Sequence, residues 1–230
     1  MKYLFLTCCL LLAAAQALPA KAAGDSKKIV NRQSSILNPQ LPLDRAGERA
    51  SREALILKLE DERDAADPAW EDLAGVSDGA LRVRVALALG RIGDPSRVPM
   101  LEKLLHDPSP DARLTAAFAL GLVKDEAAAE ALRKALDAKT LSPEETAAAV
   151  ESLGRIGIPE DAARVAQYLT HADPRVVEAA LRAVWRFPET HGVEVVERIA
   201  LNANAPMELR VAAAHALFRR ARPEGEGTLA

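Results

Sequence analysis

One motif recurs five times along the chain and constrains its fold more than any other feature. A marker position inside the motif recurs at spacings of 31, 33, 31 and 33 residues. The marker residues are Gly90, Gly121, Gly154, Trp185 and Phe218. Repeats of this length indicate an architecture in which each unit is one supersecondary structure. Because one such unit cannot bury its own apolar face, the pattern predicts that neighbouring units stack into a continuous core.

Each unit contains enough residues for two helices joined by short turns. In the second unit, residues 98–105 are predicted to form the first helix, and the prolines within residues 106–110 end it. Asp111 is then expected to cap the second helix. Residues 44–62 carry an amphipathic pattern and are predicted to form an N-terminal capping helix. The predicted units are residues 67–93, 94–124, 125–157, 158–188 and 189–221.

The periodicity of the second helices shows which of their faces enters the core. At about 100° per residue, the positions five and one before the marker and two after it share one face. Those positions hold Val85, Ala116, Ala149, Ala180 and Ala213, then Leu89, Leu120, Leu153, Val184 and Leu217, and finally Ile92, Val123, Ile156, Phe187 and, as an exception, Arg220. The small alanine side chains are expected to let neighbouring helices approach closely. The sequence therefore predicts an all-α fold within residues 44–230, an α-solenoid or superhelix of about five antiparallel helix pairs.

The opposite face of the second helices is apolar in the first two units and charged in the later ones. The candidate partner-binding residues on this face are Val83, Leu87, Leu114, Phe118, Leu122, Arg155, Arg182 and Arg186. One interpretation is a groove in which a partner peptide buries an apolar segment. The alternative is that the helix of residues 44–62 folds over the apolar part, or that neighbouring helices crowd there. The arginines near helix C-termini also have an interpretation without a partner, since they favour the helix dipole.

The first 23 residues have the pattern of a secretory signal peptide. Lys2 precedes an apolar run over residues 3–15, and residues 20–22 read Ala-Lys-Ala, a typical cleavage site. The run is short for a transmembrane helix, so membrane contact is expected only if the signal segment is uncleaved. Residues 24–43 are polar and contain two prolines, which predicts a flexible linker. The chain is therefore expected to be secreted or periplasmic.

Composition and motifs argue against several function classes. A formal net charge of −3 and an aromatic content of 3% are unlike those of a nucleic-acid-binding protein. The sequence contains no serine nucleophile elbow, no phosphate-binding glycine loop and no recognisable catalytic triad. Its four histidines are interpreted as solvated or packing residues rather than as metal ligands. We therefore predict no catalytic residue, no metal, no cofactor and no nucleic-acid partner.

The second unit resembles HEAT repeats, in the short bacterial form described as PBS-lyase-like. The family's residues at this unit are Pro99, Asp107 and Arg113. The segments ALALGRIGDP and DARLTAAFALG are also typical, and the resemblance covers about residues 67–221. It implies a solenoid whose second helices line the concave surface, with a ladder of Asp–Arg contacts between units. Because Thr146 and Val177 stand where later units would repeat Arg113, that ladder is expected to be incomplete.

These observations predict a function in binding rather than in chemistry. The PBS-lyase label follows the repeat itself, so no lyase activity is predicted. The expected protein is an exported, non-catalytic scaffold that binds a protein or peptide partner. One alternative is the client-recruiting N-terminal arm of a longer secreted enzyme, such as a cyclophilin-type peptidyl-prolyl isomerase. Another is a structural module that self-associates through its C-terminal end.

Overall fold

The computed structural model of the protein describes residues 45–188 and 191–221, and these residues form eleven α-helices and no β-strand. Helix α1 spans Arg45–Asp61 and is followed by five helix pairs. The first helices of the pairs are α2 (Ala69–Gly75), α4 (Val98–Leu104), α6 (Glu126–Asp137), α8 (Ala162–Gln167) and α10 (Val193–Leu201). The second helices are α3 (Gly79–Ile92), α5 (Pro110–Val123), α7 (Pro143–Ile156), α9 (Pro174–Val184) and α11 (Met207–Ala221). Short 3-10 segments, Pro95–Arg97, Pro159–Asp161 and Tyr168–Thr170, flank α4 and α8.

The predicted all-α fold of helix pairs is thereby confirmed. The predicted signal peptide (residues 1–23) and linker (residues 24–43) lie outside the described residues, and so does the segment after Ala221. Both of these N-terminal assignments therefore stay predictions.

Three of the five second helices begin at a proline, and three end at a residue in the left-handed conformation. Proline occupies the first turn of α5, α7 and α9, where its missing N–H leaves no hydrogen bond unmade. Helix α7 also has a complete capping box, in which Ser142 and Glu145 satisfy each other's backbone amides. Helices α3 and α7 end at Gly93 and Gly157, whose φ angles of 76° and 78° suit glycine.

The prediction that Asp111 caps the second helix of its unit is wrong. Helix α5 begins one residue earlier, at Pro110, and its N-cap residue is Ser109. Proline is favoured at the first helical position, so the Ser-Pro pair sets the start of the helix. Asp111 lies inside the first turn, where its carboxylate still interacts favourably with the helix dipole.

The five second helices contact one another in sequence, from α3 through α5, α7 and α9 to α11, and each also contacts the first helix of its own pair. These contacts belong to one compact unit that begins at Arg49. The predicted core face is confirmed, because the residues five positions before the marker are all fully buried. They are Val85, Ala116, Ala149, Ala180 and Ala213.

The marker glycines lie where successive second helices are closest. A Cβ atom at Gly90 would stand 2.7 Å from the Cα of Ala119, and one at Gly121 would stand 2.7 Å from the Cβ of Ser152. At Gly154 it would stand 2.6 Å from the Cα of Ala183. No side chain fits at such distances unless the backbones separate. Glycine at the first three markers therefore allows these close crossings.

Buried ion pairs join each of the first three units to the next. In all three pairs an arginine of one unit meets a buried carboxylate of the following unit, and we call them the inter-unit clamps. They are Arg82–Asp107 with contacts of 2.6 and 2.7 Å, Arg113–Glu145 at 2.7 Å, and Arg133–Asp161 with contacts of 2.7 and 3.0 Å. Arg82 and Arg113 also donate to equivalent backbone carbonyls, those of Val76 and Asp107. The ladder of Asp–Arg contacts is thus present between the first units. In its second contact the carboxylate comes from a glutamate, Glu145, instead of an aspartate.

The clamps keep two of the carboxyl groups ionised. The hydrogen bond from Arg82 outweighs burial and lowers the pKa of Asp107. Burial of Glu145 opposes its ionisation, but the Ser142 amide and the Arg113 guanidinium together hold its pKa below the usual value. A lowered folded-state pKa stabilises the fold at neutral pH, and that stabilisation is lost as the pH falls through the folded-state value.

Helix α1 packs against the first helix pair as a cap. Ile56 and Leu59 are buried in the hydrophobic core, whereas Leu57 is exposed. Glu60 forms an ion pair with Arg91 of α3 at 2.9 Å. The apolar face of α1 therefore covers the start of the stack.

Candidate partner-binding face

The apolar candidate residues lie outside the core. We use "second-helix face" for the side of α3, α5, α7, α9 and α11 that is opposite the core face. Phe118 is 40% exposed on this face. The remaining apolar candidates are half-buried, and they are Val83, Leu87, Leu114 and Leu122. None of the five belongs to the hydrophobic core cluster of the described residues.

Helix α1 borders the apolar part of this face. The groove beside α1 has a volume of about 620 Å³, within the range of about 300–1,000 Å³ that is typical of ligand-binding clefts. Val83 of α3 and Leu114 of α5 line it, and Arg49 and Glu53 of α1 line it as well. Arg49 also forms an ion pair with Asp78 at 3.4 Å, which ties α1 to the start of α3. The predicted helix of residues 44–62 thus contributes a charged wall, while Phe118 stays exposed.

A stacked arginine separates the apolar part of the face from the charged part. The Arg155 guanidinium lies 4.6 Å from the centre of the Phe118 ring, a cation–π contact between α7 and α5. Arg155 also donates to Glu151 at 3.4 Å. Its Nη1 atom and the Oγ atom of Ser152 are buried without a hydrogen-bond partner among the described residues. The side chain of Arg155 therefore contacts both the Phe118 ring and the Glu151 carboxylate.

The charged part of the face is a network across α7 and α9. Arg182 donates to Glu151 of α7 at 3.0 Å and to Glu178 one turn before it. Arg186 donates to the backbone carbonyl of Arg182 at 2.9 Å. Arg155 and Arg182 thus both contact the carboxylate of Glu151, and Arg186 lies next to Arg182.

Two residues outside the predicted set contact the charged part of this face, and one of them, Trp185, also packs against the core. Trp185 is half-buried, and the guanidinium groups of Arg186 and Arg219 lie 5.1 and 4.4 Å from the centre of its ring. Burial and the neighbouring charges of Arg155, Arg182 and Arg219 lower the pKa of Arg186. The spacing in the sequence indicates that Arg219 lies on the second-helix face. It stands one position after the marker of its unit, as Arg155 and Arg186 do in theirs.

The last described helix also exposes apolar side chains. Met207, Val211 and Phe218 of α11 are 62%, 59% and 58% exposed. Their spacing of four and seven residues places them on one stripe of the helix.

The described residues show no metal or membrane-spanning feature. Within residues 45–188 and 191–221, no group of three His, Cys, Asp or Glu side chains is arranged to hold a metal ion. No helix in the same part of the chain is long and apolar enough to cross a bilayer.

Comparisons with known proteins agree with this architecture. Residues 68–142 match the family of HEAT repeats. A chain in the structure of the complex of CpcE and CpcF of phycocyanin lyase, from Nostoc sp., is 29% identical to this chain with a TM-score of 0.51. The match covers 79% of this chain and 74% of that one. The curated proteins gave no match. The predicted resemblance to HEAT repeats is therefore confirmed over residues 68–142, which lie within an all-helical stack.

Proposed function

We propose that this chain is an exported, non-catalytic scaffold that binds a protein partner on its second-helix face. The observation that carries the proposal is the exposure of Phe118 beside four half-buried aliphatic side chains outside the core. Apolar side chains grouped on one exposed face typically mark an interaction site. The similar Nostoc structure is a complex of two subunits, which also supports a role in protein association.

The proposed site combines an apolar region with a charged one. Because Phe118 is 40% exposed, burying the rest of its side chain contributes about 1 kcal/mol to binding, a fraction of the ~1.5–3 kcal/mol for a fully buried side chain. The arginines of α7 and α9 would orient the partner, because complementary charges favour one direction of docking. A partner segment with an apolar end and an acidic end fits both regions.

Site-specific photo-crosslinking tests this proposal. With the photo-reactive amino acid p-benzoylphenylalanine at position 118, we expect one dominant crosslinked partner in the envelope fraction. The matched control is the same amino acid at position 201, since Leu201 is 83% exposed on α10, away from the second-helix face. Equal crosslinking from both positions would contradict a specific site.

The substitution Phe118→Ser separates a binding residue from a core residue. Because Phe118 is 40% exposed, we expect the far-UV circular dichroism and the unfolding midpoint to change little. Partner binding should weaken by about tenfold or more, as for an aromatic residue at the centre of an interface. Loss of folding in this variant would place Phe118 in the core and remove the proposed groove.

Self-association is a second candidate function, supported by the exposed stripe of Met207 and Val211 on α11. Light scattering over a range of concentrations should then show a dimer or larger species. The double variant Met207→Glu with Val211→Glu should be monomeric under the same conditions. A wild-type chain that is monomeric at every concentration rules this function out.

Export and the recruiting-arm alternative stay predictions. Export depends on residues 1–23, and recruitment to an enzyme depends on a coding sequence that continues beyond residue 230. Determining the N-terminal residue of the mature protein and reading the downstream gene would decide them separately.

A further inference from the structure

The later part of the second-helix face carries more positive than negative charge. Four arginines lie close together there, while the carboxylates bonded to them are those of Glu151 and Glu178. The arginines are Arg155, Arg182, Arg186 and Arg219. This local excess contrasts with the formal net charge of −3 for the whole chain. The excess makes this region complementary to an acidic surface.

The two carboxylates do not reach all four arginines. Arg155 and Arg182 share Glu151, and Arg182 also bonds Glu178. Arg186 and Arg219 form no ion pair with any carboxylate of the described residues. Arg186 instead donates to a backbone carbonyl, and both guanidinium groups lie over the ring of Trp185. Two cationic groups are thus held beside one aromatic ring with hydrogen-bond donors to spare.

We infer that Arg186, Arg219 and Trp185 form a docking site for an acidic peptide segment of the protein partner. This inference rests on the proposed function and adds the chemistry of the ligand. Guanidinium groups bind carboxylates through paired hydrogen bonds, and the half-buried Trp185 ring holds both guanidinium groups in place through cation–π contacts. An incoming carboxylate would also offset the repulsion among the neighbouring arginines.

The electrostatics of Arg186 support this assignment. Its pKa is lowered, first by burial and then by the charges of Arg155, Arg182 and Arg219, while Glu151 acts in the opposite direction. An arginine that carries its charge under these conditions gains more from an additional anion than a solvated surface arginine does. The site is therefore favourable to acidic side chains in particular.

Tryptophan fluorescence provides a direct test in the full chain. The chain has two tryptophans, and Trp70 is completely buried, so a ligand beside Trp185 changes the emission of one residue only. The probe is a ten-residue peptide of alternating glutamate and leucine, titrated in low-salt buffer at pH 7. We expect a saturable change in emission that is absent in Trp185→Phe. A glutamine–leucine peptide of the same length should produce no such change.

Arginine variants then assign the binding to these residues. The double variant Arg186→Gln with Arg219→Gln should weaken peptide binding by about tenfold or more. Arg198→Gln is the matched control, because Arg198 is an exposed arginine of the first helix α10. Equal affinity of the wild type and the double variant overturns the inference, and so does the absence of any saturable change in the wild type.

The same variants distinguish this inference from the proposed function. If the double variant still crosslinks its partner from position 118 with full efficiency, the scaffold function stands and the acidic site is wrong. If position 118 of the wild type captures no specific partner, the scaffold function fails, whatever the peptide does.

Discussion

Replacing Arg82 with methionine is expected to lower the free energy of unfolding by about 3–5 kcal/mol, because removing one member of a buried ion pair leaves the other buried and uncompensated. The side chains of Arg82 and Asp107 are only 11% and 5% exposed, and two hydrogen bonds join them. The loss should be visible as a lower midpoint of chemical unfolding, followed by far-UV circular dichroism.

A matched control and a second substitution identify the cause. Arg175→Met removes an arginine whose ion pairs with Glu144 and Asp173 are exposed to solvent, and we expect a much smaller change. Adding Asp107→Asn to Arg82→Met should recover part of the lost stability, because the amide is not charged and still accepts the bond from the Ser109 amide. Equal losses in the free energy of unfolding for Arg82→Met and Arg175→Met would show that the buried clamp stabilises the fold no more than an exposed ion pair.

Replacing Gly154 with alanine is expected to lower the free energy of unfolding by about 1–3 kcal/mol, since one methyl group over-packs a close helix crossing. The added Cβ would stand 2.6 Å from the Cα of Ala183, a backbone atom that can move only with the whole of α9. The two helices must therefore separate or one of them must bend. Chemical unfolding of both proteins measures the difference.

Gly75 provides the matched control for that substitution. It is the last residue of α2, and an added Cβ there would meet nothing within 4 Å. Gly75→Ala should therefore leave stability unchanged or raise it by about 0.4–1 kcal/mol, because alanine restricts the unfolded chain. If Gly154→Ala is as stable as Gly75→Ala, the helices do not cross as closely as the structure has them.

The sequence was sufficient for the repeat and for the core face of the second helices. Both depend on periodicity, and a helix with one apolar stripe has only one way to bury it. The importance of glycine at the marker could not be derived in the same way. It depends on the distance between the backbones of α5 and α7, or α7 and α9, and a single sequence contains no such distance.

The contact between Arg113 and Glu145 was not predicted from the sequence, and Glu145 has two roles in the structure. It closes the capping box of α7 and accepts the hydrogen bond from Arg113 at 2.7 Å. A glutamate at the third position of α7 does not match the aspartate of the family pattern, yet its longer side chain reaches Arg113. Similarly, Arg82 stands one period before Arg113, and its partner became evident only when the units were stacked.

The sequence predicts which helix face each candidate site residue lies on, but it does not predict which of these residues contact one another. Helical spacing put Phe118 and Arg155 on the second-helix face, but their contact joins neighbouring units. Trp185 was predicted at the marker, where earlier units carry glycine, and its ring instead lies beside two arginines. Contacts of this kind depend on rotamers and on the offset between helices, which periodicity does not determine.

The account depends on one uninterrupted row of second helices, and nuclear Overhauser effects between glycine and alanine protons test that row most directly. With protonated glycine and 13C-methyl alanine in a deuterated chain, we expect cross-peaks from the Hα protons of Gly90 to the Ala119 methyl group and from those of Gly154 to the Ala183 methyl group. Both cross-peaks together would place α3 against α5 and α7 against α9 in solution. Absence of either one, in a folded and assigned sample, would break the stack and contradict the face on which the proposed partner binds.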